Sequence, residues 1–140
     1  MNDPYQLERF VQAQDSNGTF QRAVAELRAG RKVGHWMWFV FPQIAGLGFS
    51  AMSQRYAISS LAEARAYLNH PVLGTRLVEC ATVLAATDGK SASEILGPVD
   101  AMKLRSSITL FAAAAPDQPA FSAVLATYFG APDEATLARL

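Results

Sequence analysis

Charge of one sign, cysteine and histidine are what this sequence has least of. In 140 residues, twelve Lys and Arg balance twelve Asp and Glu, so the formal net charge is zero. No general basic field draws the chain to a phosphate backbone, and nucleic acid is not an expected partner. The same neutrality removes a barrier to self-association, which leaves monomer and homodimer both open. Cys80 is the single cysteine; an internal disulfide is excluded, and a reducing compartment, the cytoplasm, is expected. No apolar run approaches the ~18 residues that span a bilayer. The opening Met1-Asn2-Asp3-Pro4-Tyr5 lacks the basic-then-apolar pattern of a signal peptide, so no membrane partner is expected. The only histidines are His35 and His70, with no Cys, Asp or Glu set at ligand spacing around them. Neither a metal nor another cofactor is therefore expected.

What the chain has in quantity is apolar side chain. With 51% hydrophobic and 17% charged residues it is not disordered, and its length suits one domain over residues 1–140. There are no repeats, no low-complexity tracts and no linker long enough to divide it. Helical spacing recurs throughout. Asp3-Pro4-Tyr5-Gln6 reads as a capping box before Leu7, Phe10 and Val11. Asn17-Gly18 breaks the chain before a second helix with Phe20, Ala23, Val24 and Leu27, stopped by Gly30. Further on, Ser50 to Tyr56 makes a short helix, and Ser60 with Glu63 is a second capping box. His70-Pro71 leads to the apolar line Leu73, Leu77, Cys80 and Leu84, and Ser91 with Glu94 is a third box. Asp100 to Ala115 carries the stripe Leu104, Ile108, Phe111. Phe121 to Tyr128 and a last short helix opened by Pro132-Asp133-Glu134 complete the set. The fold class is all-α: one compact domain of about seven to nine helices joined by short connections.

One stretch does not follow this pattern. Arg31-Lys32-Val33-Gly34-His35-Trp36-Met37-Trp38-Phe39-Val40-Phe41-Pro42-Gln43 holds both tryptophans, and every residue from Trp36 to Phe41 is apolar. A buried strand there would have no partner strand and would leave its amides unsatisfied. An irregular or short helical segment is expected instead, ended by Pro42 and loosened by Gly46 and Gly48.

His35 to Gln43, followed by Gly46-Leu47-Gly48 and Ser50, resembles the bacterial family catalogued as domain of unknown function 1810. The likeness extends to Arg9-Phe10-Val11, to Glu26 through Lys32, to Tyr56-Ala57-Ile58, and to Asp100 with Lys103 through Phe111. It covers nearly the whole chain. The resemblance implies an all-helical single domain and no established activity. Members are sometimes labelled calpastatin-like, but calpain inhibitors of that name are disordered and this composition is globular.

Chemistry must then be sought in the residues themselves. His35, behind two cations, is either a general acid/base or a histidine bonded to backbone among core aromatics. Trp36 and Trp38 either stack a flat ligand or fill the core. Gly46-Leu47-Gly48-Phe49-Ser50 offers amides and the Ser50 hydroxyl to an anion, or is a plain turn; it lacks the strand and Lys of a phosphate loop. Asp100, Lys103 and Ser107 share one sector at the margin of the late apolar helix, with Arg105 and Thr109 nearly opposite. Cys80 lies on an apolar line and is expected to be an inert thiol.

Two functions follow from these features. In the first, a small anionic aromatic ligand, a nucleotide or nucleotide sugar, sits between the aromatic stretch and the Asp100–Ser107 helix. His35 and Asp100 would be catalytic, and Arg31, Lys32, Trp36, Trp38, Gln43, Ser50, Lys103 and Ser107 would bind the ligand, with Arg105 a further cation. N-glycosidic hydrolysis is the reaction class to test first. In the second, the aromatic segment is a non-catalytic interaction or homodimerisation surface.

Overall fold

The computed structural model describes residues 3–140; Met1 and Asn2, and with them the start of the expected leaderless terminus, lie outside the described residues. The chain begins with α1 (Glu8–Asp15), which a 3₁₀ turn (Ser16–Gly18) joins to α2 (Thr19–Ala29). Asn17 and Gly18 both take left-handed backbone there, at φ 54° and 68°, the conformation that Asn and Gly adopt most readily. Next come α3 (Met37–Val40), α4 (Ala51–Arg55), α5 (Leu61–Asn69) and α6 (Leu73–Ala85). The chain closes with α7 (Ala92–Leu96), α8 (Pro98–Ala114), α9 (Pro119–Tyr128) and α10 (Glu134–Leu137). The expected helices are present, and the aromatic segment adds the four-residue turn α3. Among the described residues there is no strand, only an isolated bridge between Ile44 and Ile58.

The ends of these helices show where local rules held. Ser91 and Glu94 form the full reciprocal capping box of α7. Ser60 accepts from the Glu63 amide at the start of α5, but the box is only half made. The Glu63 carboxylate instead accepts from Ser59 and meets Arg9. At α1 the expected box fails: Gln6 sits at φ 54°, outside the helix, and the helix starts two residues later. Asp3 still caps, its carboxylate accepting from the Leu7 and Glu8 amides at 2.8 and 3.1 Å. Beyond α5, His70 does similar work, its Nδ1 accepting from the Val72 and Leu73 amides.

The long helix α8 is central, packed against α5, α7, α9 and α10, while α6 fills the space between α2, α5 and α9. The α6 line is fully interior: Leu73, Leu77, Cys80 and Leu84 are all buried. Burial pushes the Cys80 thiol up to about 12, so it is not a nucleophile near neutrality. Gly74 admits the α5 chain so closely that a Cβ would lie 2.0 Å from the Leu68 carbonyl oxygen.

Two polar knots lock the α1 side. Gln14, 1% exposed, donates from Nε2 to the Phe39 carbonyl at 2.7 Å and to the Tyr67 hydroxyl at 3.2 Å, and its Oε1 accepts from Arg76. One side chain thereby ties α1 to α3, α5 and α6. Arg9 donates to the Arg55 and Ala57 carbonyls and to the buried Glu63 carboxylate at 3.2 Å. Removing one partner of such a pair strands the other charge in the interior. The substitution Arg9→Met is expected to lower unfolding free energy in urea by about 3–5 kcal/mol. The double variant R9M/E63M should recover part of that loss.

Candidate functional site

The aromatic segment is held by a carboxylate on α2. Glu26 Oε1 accepts from the Val33 amide at 2.6 Å, the Gly34 amide at 2.8 Å and Trp36 Nε1–H at 3.0 Å. These bonds turn the chain so that Trp36 enters the core at 1% exposure, with Met37, Phe39, Val40 and Phe41 behind it. Trp36 therefore offers no open face to a stacked ring, a correction to the sequence-based expectation. Its indole is consumed by Glu26 and by core packing against Phe41.

Lys32 follows the same turn inward. Its Nζ lies 2.9 Å from Asp100 Oδ2, donates to the Gly34 carbonyl at 2.5 Å and sits 5.1 Å from the Trp36 ring. Asp100 is shared: Lys103 Nζ is 3.7 Å from its other oxygen and 5.2 Å from the Trp38 ring. The structure thus does bring the two tryptophans beside the acid–lysine helix, with each ring facing one lysine of a pair that brackets Asp100. Trp38 is half-buried, yet its Nε1, like Ser107 Oγ one turn beyond Lys103, is enclosed without a hydrogen-bond partner among the described residues. Ser107 is 0% exposed. The expected polar margin of α8 is therefore interior at that position.

The adjacent concavity is a cavity of about 320 Å³. One wall is the α8 face formed by Val99, Met102, Lys103 and Ser106, at the i, i+3, i+4, i+7 spacing of a single helix face. Opposite stand Gln43, Leu47 and Gly48 from the loop after α3, and Asp133 with Ala135 closes the end. Arg105 at the border donates to the Ala131 and Pro132 carbonyls, both at 3.1 Å. The Asp133 carboxylate caps α10, accepting from Thr136 and from Ser106 Oγ.

Of the sequence-predicted ligand residues, Lys103 and Gln43 lie on this cavity. His35 and Arg31 are exposed and not part of its wall. Ser50 is spent at the start of α4, accepting from the Ser53 amide, so the glycine loop contributes Leu47 and Gly48 in its place. Met102 and Ser106 were not foreseen, because the apolar stripe Leu104–Ile108–Phe111 dominates the α8 pattern. The signal available was a second stripe, Val99, Met102, Lys103 and Ser106, too apolar at two positions to be plain solvent face. Arg105 is only half-buried, while Thr109 accepts from the Asp133 amide at 2.9 Å and is covered by the 131–136 segment.

Two measurements check these placements. Burial pushes the Glu26 carboxyl up, but the Gly34 and Val33 amides, the Trp36 indole and Lys32 outweigh it and hold it below the ordinary 4.5. A depressed folded-state value contributes stability above the unfolded one, lost as pH falls below about 4.5 through the folded value. Glu26→Gln should melt earlier than the parent at pH 7, and the gap between the two should narrow progressively as pH falls below 4.5. His35→Ala, at an exposed position, should shift unfolding free energy by no more than about 0.5 kcal/mol.

Among the described residues no helix is long and apolar enough to cross a membrane. No curated protein matches the chain. Its structure is similar to a crystal structure of a conserved hypothetical protein from Mycobacterium tuberculosis, at 53% identity and a TM-score of 0.95, covering 99% of this chain and 98% of that one. A family model described as "Protein of unknown function (DUF1810)" matches residues 4–140, and the chain belongs to that family.

Proposed function

We propose that this protein binds a small anionic ligand with a flat or apolar body in the cavity between the Gln43–Gly48 loop, α8 and α10. The observation that carries this is the conjunction of an apolar wall with a loosely paired cation and an amide side chain. Leu47, Val99 and Met102 supply the wall, while the Lys103 ammonium and the Gln43 amide make no hydrogen bond among the described residues. The volume of about 320 Å³ is near the low end of small-molecule sites, about 300–1,000 Å³. A mononucleotide or the nucleoside part of a nucleotide sugar is the size class it suits.

Binding is better supported than N-glycosidic hydrolysis. A hydrolase needs a free carboxylate or imidazole at the scissile bond. Asp133, the carboxylate on the wall, is engaged as the α10 cap, Asp100 is clamped by Lys32, and His35 faces solvent elsewhere. A second reading has one observation in its favour: Val99 and Met102 at the rim are 66% and 74% exposed, and Phe49, next to Gly48, is 85% exposed. Apolar surface of that kind also suits a protein partner or a second copy.

A thermal-shift screen with mononucleotides and nucleotide sugars tests the first reading. A ligand at a hundred times its Kd should stabilise the protein by about 2.7 kcal/mol, a rise of several degrees in Tm. Ala135→Trp, which fills the cavity from α10, should abolish the shift without lowering the unliganded Tm appreciably. A shift that survives this substitution places the ligand elsewhere. No shift with any compound, together with a sedimentation coefficient that rises with concentration, favours the second reading.

A further inference from the structure

We infer that Lys103 selects the ligand by charge: the cavity takes a head group with a single negative charge, a carboxylate or a phosphodiester, over a neutral group or a terminal phosphate. The inference rests on the cavity being the ligand site and goes beyond it in naming the head group. The charged side chains on the wall are Lys103, Arg105 and Asp133, two cations against one carboxylate. Arg105 is turned to the Ala131 and Pro132 carbonyls, and Asp133 is turned to Ser106 and Thr136. Only the Lys103 ammonium is left to face a guest. Its nearest carboxylate, Asp100, is already matched by Lys32 at 2.9 Å, while Lys103 stands off at 3.7 Å over the Trp38 ring. It is a cation held loosely at a half-buried position, with 22% of its side chain exposed.

One negative charge entering the cavity neutralises that surplus. A terminal phosphate, at about −1.5 to −2 near neutrality, overshoots it and sets the excess against the Asp133 carboxylate on the wall, which no cation pairs among the described residues. A neutral head gives Lys103 no reason to leave the indole face. Capture of the anion draws the ammonium off Trp38, so binding and the Trp38 environment change together.

Four compounds with a common body separate these cases by titration calorimetry on the intact protein: adenosine, adenosine 5′-carboxylate, adenosine 3′,5′-cyclic phosphate and 5′-AMP. The two singly charged compounds should bind at least about tenfold tighter than adenosine and tighter than 5′-AMP, the scale of one charge-assisted contact. The tighter of the two distinguishes carboxylate from phosphodiester. Each should change tryptophan emission. Lys103→Met should bring the three anionic compounds to the affinity of adenosine and remove the emission change. If K103M loses its cooperative melt, K103Q is read in its place. Equal or tighter binding of 5′-AMP, or a charge preference that persists without Lys103, overturns the assignment. Failure of all four to bind overturns the cavity as a nucleoside-sized site, and this inference with it.

Discussion

The carboxylate of Glu26 is the constraint on which the central segment depends. Three donors that would otherwise lie unpaired at the edge of the core, two backbone amides and an indole N–H, converge on one of its oxygens. A charged acceptor makes each bond stronger than a neutral one would be. Because the bonds span α2 and the 33–36 loop, they decide which way Trp36 points. With Trp36 inside, Lys32 is carried to the N-terminal turn of α8, where it meets Asp100. The order of causes runs from a surface carboxylate to a buried indole to a charge pair between distant parts of the chain.

That charge pair shapes the neighbouring cavity. Lys32 has 9% of its side chain exposed, and a cation so enclosed is tolerated because Asp100 and the Gly34 carbonyl satisfy it. Once Asp100 is held from that side, Lys103 is left loosely attached on the other, above Trp38. Asp133 and Arg105 near the cavity are occupied in fastening α10 to α8: Asp133 through Ser106 and Thr136, Arg105 through the carbonyls before α10. The late segment thus covers a flank of α8 that would otherwise be open. Ten residues line the resulting space, and most of the charge among them is structurally engaged.

Most helices could be read from the chain because each depends on near neighbours. Gly30 ends α2 in left-handed backbone at φ 73°, and Ser91 and Glu94 begin α7, by interactions within a few residues. Legibility failed where a side chain had a distant competitor. Glu63 was free to complete a box with Ser60, but Arg9, 54 positions away, and Ser59 drew it elsewhere. Gln14 reads as one more polar residue of α1, yet it is the buried link between four helices, a role set wholly by Phe39, Tyr67 and Arg76.

Pattern and composition alone determined an all-α chain, one aromatic segment without helical period, a stop at Pro42 and an interior thiol, since each of these follows from burial and backbone sterics over short distances. The juxtaposition of that segment with the Asp100–Lys103 helix was also inferable as an expectation. Which indole is buried, which lysine owns Asp100, and that Met102 and Ser106 face a cavity while His35 faces solvent were decided by tertiary structure. The physical reason is that hydrogen bonds and ion pairs go to whichever partner the packed chain brings within about 3 Å, and sequence spacing carries no record of neighbours 10 to 70 residues apart, as Glu26 is from Trp36 and Lys32 from Asp100.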